Sequence, residues 1–568
     1  MNWLIENGYP EKAVIYAIKT NDLQKAADII DDIANMAISN HDVSKLILWI
    51  NANTDLLFEY RPRLGIYYAI ALFLFYQFNK IDAVIEKVEG ILLNTSNQKL
   101  NEEDCKTIEW EIKVMRLSLK LINGNYDDSV FRDADTILND RTRESLYLYG
   151  VLTNTIGIIY DNLGELNKAL VYFYRGMELA AKSNFQYGYW QTKSSVALCY
   201  FKQLKYEEAI QTFGQITNFI TQNRLDKITL LLMNSFLLEI SLEQYDLQKA
   251  DLLARHVIET LNRVIFNHSD WLYIVNYALF IADYLVTKGD LTQARHYLEI
   301  TKDNYPKSGY PGFLLPIEII EVYVRLLRAE AQVNKKKFWF AGEDDLINLT
   351  TLSTFTGRIA KIRILQDQNN HKGATEYIGS FYEELNQSEY KRLKIEAQLL
   401  LSISEYQIGE KGSAFSLMHE ILQDCLSQNA LRIFLIEYSY LKDLFCEYLE
   451  WMDKENINLR EIDKAFIEKI QQISKSKCAP SEHCIEATQS EVASVFIMNE
   501  PFSSREEEVF KLLLQGKGYK EIAESLVISM NTIRTHIKNI YRKLDIHSHK
   551  MLMNRAKELG FPAKRTLE

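Results

Sequence analysis

The chain contains few residues that interrupt helices, with only 8 prolines and 22 glycines among 568 residues. Proline removes a backbone donor and glycine costs backbone entropy, so long stretches without either residue favour helix. Hydrophobic residues make up 47% of the sequence and charged residues 25%, a balance that excludes an intrinsically disordered chain. These features predict an all-α protein built from several domains or from one long helical solenoid.

Long apolar segments are also absent. The longest apolar run, Ile66–Tyr76, has 11 residues, whereas a membrane-spanning helix needs about 20. The first residues, MNWLIENGYPEK, lack the basic and apolar regions of a secretion signal. We therefore expect a cytoplasmic protein with no membrane partner.

Cysteine is scarce, with six residues in the whole chain. Four of them, Cys105, Cys199, Cys425 and Cys446, lie within helical patterns, and we expect buried, reduced thiols there. The other two end the segment from Cys478 to Cys484. Because that segment lacks a second ligand pair at zinc spacing, a linker is favoured over a metal or redox site.

Motifs for catalysis and nucleotide binding are missing as well. The sequence contains no G-x-x-x-x-G-K-[ST] phosphate loop, and GEKGS at 409–413 and GKGYK at 516–520 have the wrong spacing. None of the ten histidines belongs to an H-E-x-x-H pair or a clustered ligand set. We predict no catalytic residue, no metal and no cofactor, and hence a protein that is not an enzyme.

An internal repeat organises residues 63–470. The segment from Ile156 reads IGIIYDNLGELNKALVYFYRGMELA, with a small–aromatic–turn–small–aromatic order at Gly157, Tyr160, Gly164, Ala169 and Phe173. The small residue of the second helix recurs as Ser129, Ala169, Ala209, Ala250, Ala294, Ala374 and Ala414, and Ala83 would mark an earlier unit. A short side chain lets paired helices approach closely. The pattern resembles the tetratricopeptide repeat and predicts a helical-hairpin superhelix with a concave inner surface.

The C-terminal end differs from the rest of the chain in charge. Residues 500–568 carry 13 Lys and Arg against 9 Asp and Glu, a net charge of +4. Since the whole chain carries −11, the preceding residues carry −15. We call residues 500–568 the head and the preceding residues the body. A basic head on an acidic body predicts that only the head contacts DNA.

Four short helices can be assigned to Phe502–Gly560. Ser503 and Glu506 form a capping box for the first helix, and Ser529 is suited to cap a third helix that begins near Met530. At 100° per residue, one face of the third helix is aliphatic and the other is basic and polar. The aliphatic stripe is Ile533, Ile537, Ile540 and Leu544, and the opposite face carries Asn531, Arg534, Thr535, Lys538 and Arg542. The second and third helices form a helix-turn-helix pattern. In such a pair the later helix, here the third, lies in the DNA major groove.

The same segment resembles the LuxR-type DNA-binding domain in SSREEEVF, Gly516, KEIAESLVIS and NTIRTHIKNIYRKL. The resemblance implies that double-stranded DNA is a partner and that the protein binds it as a homodimer through the fourth helix. It implies base contacts from Arg534, Thr535 and Lys538, and phosphate contacts from Lys520, Thr532, His536 and Lys543. His549 replaces an arginine that is usual near the start of the fourth helix.

A helical repeat followed by such a domain is similar to the C-terminal part of the large ATP-dependent LuxR regulators, the MalT-like group. We predict a helical cap at 1–62, a tetratricopeptide-like sensor superhelix at 63–470, a linker at 471–498 and the LuxR-type domain at 499–568. The expected function is bacterial transcription regulation, with an unknown small molecule, peptide or protein bound in the superhelix groove. The alternative is a protein docking scaffold tethered to DNA, an adaptor for another regulator or for RNA polymerase.

The missing phosphate loop predicts that this chain neither binds nor hydrolyses ATP. Calorimetric titration of ATP into the purified chain should therefore give no heat beyond that of dilution. Stoichiometric binding at micromolar affinity would reveal a nucleotide site that the known motif does not describe.

Overall fold

The computed structural model describes most of the chain, and all structural statements below concern its described residues. These are 2–39, 43–51, 54–74, 77–93, 102–123, 127–139, 146–183, 185–222, 227–261, 266–267, 271–304, 322–330, 355–455, 461–478, 497–498, 504–514, 517–526, 528–543 and 551–552.

Helices account for nearly all of the described secondary structure. In chain order they are α1 (Asn2–Glu6), α2 (Pro10–Lys19), α3 (Leu23–Ser39), α4 (Val43–Asn51), α5 (Thr54–Tyr60), α6 (Arg63–Leu74), α7 (Ile81–Leu93), α8 (Glu102–Ile122), α9 (Asp128–Asn139), α10 (Leu146–Asn162), α11 (Leu166–Lys182), α12 (Gln186–Lys202), α13 (Tyr206–Gln222), α14 (Lys227–Glu243), α15 (Leu247–Leu261), α16 (Trp271–Lys288), α17 (Leu291–Asn304), α18 (Phe355–Asp367), α19 (His371–Gly379), α20 (Tyr382–Gln387), α21 (Lys391–Ile408), α22 (Lys411–Leu426), α23 (Arg432–Ile436), α24 (Tyr438–Lys454), α25 (Glu461–Cys478), α26 (Ser504–Leu514), α27 (Tyr519–Leu526) and α28 (Met530–Lys543). Residues 322–330 form a further helical segment.

The chain divides into two compact units. The first is formed mainly by Met1–Asn223 with Gly379–Ile395, and the second by Arg224–Ser308, Leu315–Ile378 and Glu396–Glu568. The described exceptions to α-helix are a 3-10 turn at Phe78–Lys80 and a two-residue parallel pairing in the second unit. In that pairing, β1 (Phe266–Asn267) lies beside β2 (Ile497–Met498). The predicted all-α fold class is confirmed.

Close helix approach is visible in the hairpin formed by α10 and α11. The Phe173 side chain is buried, with 1% exposed surface. Its ring lies so close to Gly157 that an added Cβ would stand 2.5 Å from Phe173 Cε1. Gly164, in the turn between the helices, has φ +78°, a conformation that glycine adopts without a steric penalty. The predicted order of small, aromatic and turn residues is therefore present in this hairpin.

One turn geometry recurs along the repeat. A residue with positive φ stands five positions before the alanine of each second helix, at Gly164, Leu204, Tyr245, Gly289, Asn369 and Gly409. The following N–H bonds to the carbonyl five residues earlier, as from Glu165 to Tyr160 at 2.9 Å, which is the 6→1 bond of a Schellman motif. The Glu165 carbonyl then accepts the N–H of Ala169 at 3.0 Å. Each turn therefore ends one helix and starts the next within a few residues.

The predicted small positions are buried from Ala169 onward. Ala169, Ala209, Ala250, Ala294, Ala374 and Ala414 are each fully buried. Ser129 and Ala83, which precede Ala169 in the chain, were also predicted to be small residues at a close helix approach. Both predictions are wrong because both residues are exposed. Ser129 lies in the first turn of α9, where its hydroxyl bonds to the Asp127 carboxylate at 2.5 Å, and that helix instead buries Val130 and Ala134.

The first residues of the predicted linker are helical. Helix α25 continues to Cys478, so the first residues of the segment 471–498 belong to a helix that buries Phe466, Ile467 and Ile470 upstream. At the other end of the segment, Ile497 and Met498 pair with Phe266 and Asn267. The linker interpretation of the residues between Cys478 and Cys484 lies outside the described residues.

The cysteine expectation holds for two of the four helical positions. Cys199 and Cys425 are buried, whereas Cys105 is half-buried and Cys446 is exposed, so burial was wrong for Cys446. Among the described residues, every helix is too short or too polar to span a bilayer.

The contact between Gly157 and Phe173 predicts opposite effects of the same substitution at two helical glycines. Gly157→Ala should destabilise the protein by about 1–3 kcal/mol because the new methyl group overpacks against the Phe173 ring. Gly214→Ala, in α13, is the control, because its Cβ would meet nothing within 4 Å. That variant should gain roughly 0.5–1 kcal/mol from helix propensity. Urea unfolding followed by circular dichroism measures both, and equal effects would contradict the close contact.

Candidate nucleic-acid interface

The C-terminal helices α26, α27 and α28 pack around one small apolar core. The buried members are Val509, Phe510, Leu513, Ile522, Ala523, Ile533, Ile537, Ile540 and Leu552. The core joins the first helix to the third and places the second beside them. These residues recur at helical spacing, so the sequence pattern predicts this core closely.

One hydrogen bond caps the start of α27, and a second contact joins α27 to α26. The Gly518 N–H donates to the Glu521 carboxylate at 2.8 Å, which satisfies a free donor at the start of α27. The guanidinium of Arg505, on α26, donates to the Leu526 carbonyl at the end of α27 and also to Glu508. The sequence analysis did not predict this contact of Arg505 with α27. The sequence indicates it only by a basic residue two positions after the predicted N-cap serine.

The third helix begins where the sequence predicts. Helix α28 starts at Met530, and the Ser529 side-chain oxygen accepts the Thr532 N–H at 3.1 Å. The Ser529 carbonyl accepts the Ile533 N–H at 3.1 Å. Ser529 is thus the N-cap of α28. The predicted capping residue of the first helix, Ser503, lies outside the described residues, while its partner Glu506 is buried.

Helix α28 has one buried and one exposed face. Ile533, Ile537 and Ile540 are 0%, 4% and 0% exposed, which confirms the predicted stripe as far as the described residues reach. The opposite face exposes Asn531, Arg534, Thr535, Lys538 and Arg542. Leu544, the last predicted member of the stripe, lies outside the described residues.

The predicted base-contact residues share the exposed face. Arg534, Thr535 and Lys538 are exposed within two turns of α28. The Thr535 hydroxyl donates to the Asn531 carbonyl at 3.0 Å, so it presents its methyl group and its oxygen lone pairs outward. Arginine and lysine donate to guanine O6 and N7, and a threonine methyl contacts the thymine methyl. This face has the chemistry required to read base edges.

The predicted phosphate contacts are more dispersed. Lys520 is exposed on α27, Thr532 is exposed in the first turn of α28, and His536 is half-buried. The Thr532 hydroxyl lies 2.8 Å from the Ser529 hydroxyl within the N-terminal cap of α28, where backbone N–H groups favour an anion. Lys543 is the last residue of α28, and its side chain lies outside the described residues, as does His549.

The geometry defines a helix-turn-helix unit with an exposed basic recognition helix. Proteins that contain such a unit bind the DNA major groove. Residues 500–556 match the family described as "Bacterial regulatory proteins, luxR family". The chain therefore carries a LuxR-family helix-turn-helix domain at its C-terminus, and its function includes DNA binding in transcription regulation. Among the described residues, no group of three or more potential ligands is placed to hold a metal ion.

The exposed face of α28 predicts that two basic residues contribute differently to DNA binding. Arg534→Ala should cost about 1–3 kcal/mol on the specific site and relax the base preference, because it removes a base-edge contact. Lys520→Ala should weaken all sequences equally and reduce the salt dependence of binding.

Fluorescence anisotropy on the specific and a scrambled duplex, across a salt series, separates the two effects. Lys464→Ala, an exposed lysine on α25 outside the head, is the control for loss of one positive charge. If Arg534→Ala leaves the ratio of specific to scrambled affinity unchanged, another face of the domain reads the bases.

Proposed function

We propose that the helical hairpins sense a signal or a partner and thereby control how the C-terminal LuxR-type domain engages DNA as a dimer. The observation that carries the DNA-binding half is the exposure of Arg534, Thr535 and Lys538 opposite the buried isoleucines of α28. The sensing half rests on the hairpins themselves. A long array of paired helices offers an extended surface and contributes nothing to base reading.

A cluster on α12 supports sensing of a small organic anion or a peptide. The Lys193 ammonium lies 5.0 Å from the centre of the Trp190 ring and 5.7 Å from that of Tyr189. Phe219 stacks on Trp190 at 4.2 Å. Burial lowers the pKa of Lys193, so this ammonium gains from an anionic partner. A half-buried cation beside three rings suits a carboxylate attached to an apolar group.

The alternative function is a docking scaffold tethered to DNA. It is supported by large apolar side chains exposed on the first helices, among them Trp3 at 65%, Tyr16 at 52% and Leu48 at 61%. Such side chains are available for contact with a partner protein. This function would use the N-terminal helices, whereas the sensing function would use the α12 cluster, so substitutions in each region separate the two.

The dimer proposal predicts that gathering two heads is sufficient for tight DNA binding. The fragment 495–568 contains the apolar core of the head and should bind a two-half-site duplex weakly. Fusion to an unrelated dimerisation helix should raise its affinity by roughly 10²–10⁴-fold, because the second head then binds at a high effective concentration.

Anisotropy on duplexes with one or two half-sites measures this gain. The one-site duplex is the control, since the fusion should improve binding there only slightly. A forced dimer that binds two sites no better than the free fragment would mean that the hairpin region reshapes the head instead of gathering it.

A further inference from the structure

A short segment of the second unit contacts the helices of the repeat. Residues 429–440, here called the strap, include α23 and the start of α24. The Leu431 N–H donates to the Glu243 carbonyl at the end of α14 at 3.0 Å. The Gln244 side chain donates to the Gln428 carbonyl, just before the strap, at 3.3 Å. The strap is therefore fixed at one end to the turn that follows α14.

The first charge of the strap is Arg432, which is 2% exposed. Its Nη2 donates to Asp283 Oδ2 on α16 at 2.5 Å and to the Thr287 hydroxyl at 3.1 Å. Its Nη1 lies 3.4 Å from Glu239 Oε1 and 3.5 Å from Glu243 Oε1, both on α14. Burial opposes charge on Asp283, yet Arg432 and then Arg325 lower its pKa to about 2. Arg432 thus lies in a buried acidic site made by two repeat helices.

The second charge of the strap is Glu437, which is fully buried. Its Oε2 accepts from Arg328 Nη1 at 2.9 Å, and its Oε1 accepts from Arg363 Nε at 2.8 Å. Arg328 belongs to the helical segment 322–330 and Arg363 to α18. Burial alone would raise the pKa of Glu437, but the two guanidinium groups lower it. The same arginines also pair with other buried carboxylates, Arg328 with Asp367 at 3.0 Å and Arg363 with Glu396. Glu437 thus lies in a buried ion-pair network made by the next two repeat elements.

The apolar side of the strap faces the C-terminal helices instead. The Phe434 ring lies 6.0 Å from that of Phe445 on α24 and 6.1 Å from that of Phe466 on α25. Among the described residues, the apolar cluster of α14–α17 and residues 322–326 contains no member of the strap. Phe434 of the strap therefore packs with α24 and α25, whereas Arg432 and Glu437 pair with the repeat helices.

Such an interface is specific in charge order. Two buried ions gain little net stability over apolar groups of the same shape, because desolvation offsets their attraction. Removing or reversing one partner is costly, because an unpaired buried charge remains. Asp283 also binds Arg325, and Arg328 and Arg363 also bind Asp367 and Glu396. Within these networks, the positions beside Asp283 and Glu239 hold a cation, and the position between Arg328 and Arg363 holds an anion, in a fixed order.

We propose that these two sites form a peptide-docking surface that the chain's own strap occupies. Its occupant carries a basic residue followed five positions later by an acidic residue, with apolar residues between them. A partner protein with a segment of that chemistry would displace the strap. Because Phe434 contacts Phe466, displacement would move α25, the last described helix before the β2 residues and the head. This regulatory consequence rests on the proposed function, whereas the docking surface does not.

The test uses the full chain and a labelled peptide of residues 429–440, NALRIFLIEYSY. The double variant Arg432→Gln/Glu437→Gln weakens the strap while preserving its shape. It should bind the peptide at least tenfold more tightly than the wild-type chain, whose surface is occupied. The control peptide exchanges the arginine and the glutamate, which keeps its composition and hydrophobicity, and it should not bind either chain.

Equal binding of both peptides would overturn the proposed docking surface. So would the absence of peptide binding to the double variant up to a 100-fold excess of peptide over protein. Circular dichroism establishes that the variant is folded. Hydrogen exchange on the wild-type chain gives an independent reading that needs no variant. The backbone amide hydrogens of Leu431, Phe434 and Leu441 should exchange through an opening step that is separate from global unfolding. If they exchange only together with the amide hydrogens of α14, the proposal is also overturned.

The DNA readout separates the two claims. Adding the peptide in excess to the full chain should change its affinity for the specific duplex, while the exchanged peptide should not. A peptide that docks without changing DNA affinity overturns the regulatory consequence alone. Failure of the untreated chain to bind any duplex would instead contradict the proposed function.

Discussion

The close approach of paired helices at one alanine per hairpin constrains most of the described repeat. Ala169, Ala209 and their successors are fully buried, so a larger side chain at any of them would force two helices apart. The turn before each alanine has a residue with positive φ and a Schellman bond, which fixes where one helix ends and the next begins. Helix spacing and turn geometry together place the inner side chains, including the aromatic cluster of α12 and the charged groups around the strap.

Charge is distributed at three levels in this chain. At the level of the whole sequence, a basic head follows an acidic body, which favours DNA contact by the head alone. At the level of one helix, α28 exposes Arg534 and Lys538 while it buries isoleucines. At the level of single pairs, Arg432 and Glu437 are buried against opposite charges in the second unit. Only the first two levels leave a pattern that can be read along the sequence.

Much of the head could be predicted because its determinants are local. Ser529 caps α28 three residues before Thr532, and the isoleucine stripe recurs at helical spacing, so both depend on neighbours in sequence. The Arg505 link to Leu526 escaped prediction because it joins two helices whose angle the sequence does not state. In the repeat, Ser129 and Ala83 were misassigned because a small residue marks a close approach only when the helix presents that face to its partner. The recurrence of positive φ was not predicted, because Leu204, Tyr245 and Asn369 stand where glycine is the usual signal.

The sequence by itself determined the helical fold class, the period of the hairpins and the basic face of α28, because each depends on residue spacing within one or two helices. Only the tertiary structure decided which charges are buried and paired. Arg432 and Asp283 are separated by more than three helices in the chain, as are Glu437 and Arg328, and nothing in their local sequence distinguishes them from solvated residues on a helix surface. They become a recognition surface because the fold brings the strap against the repeat helices, where burial makes each unpaired charge costly.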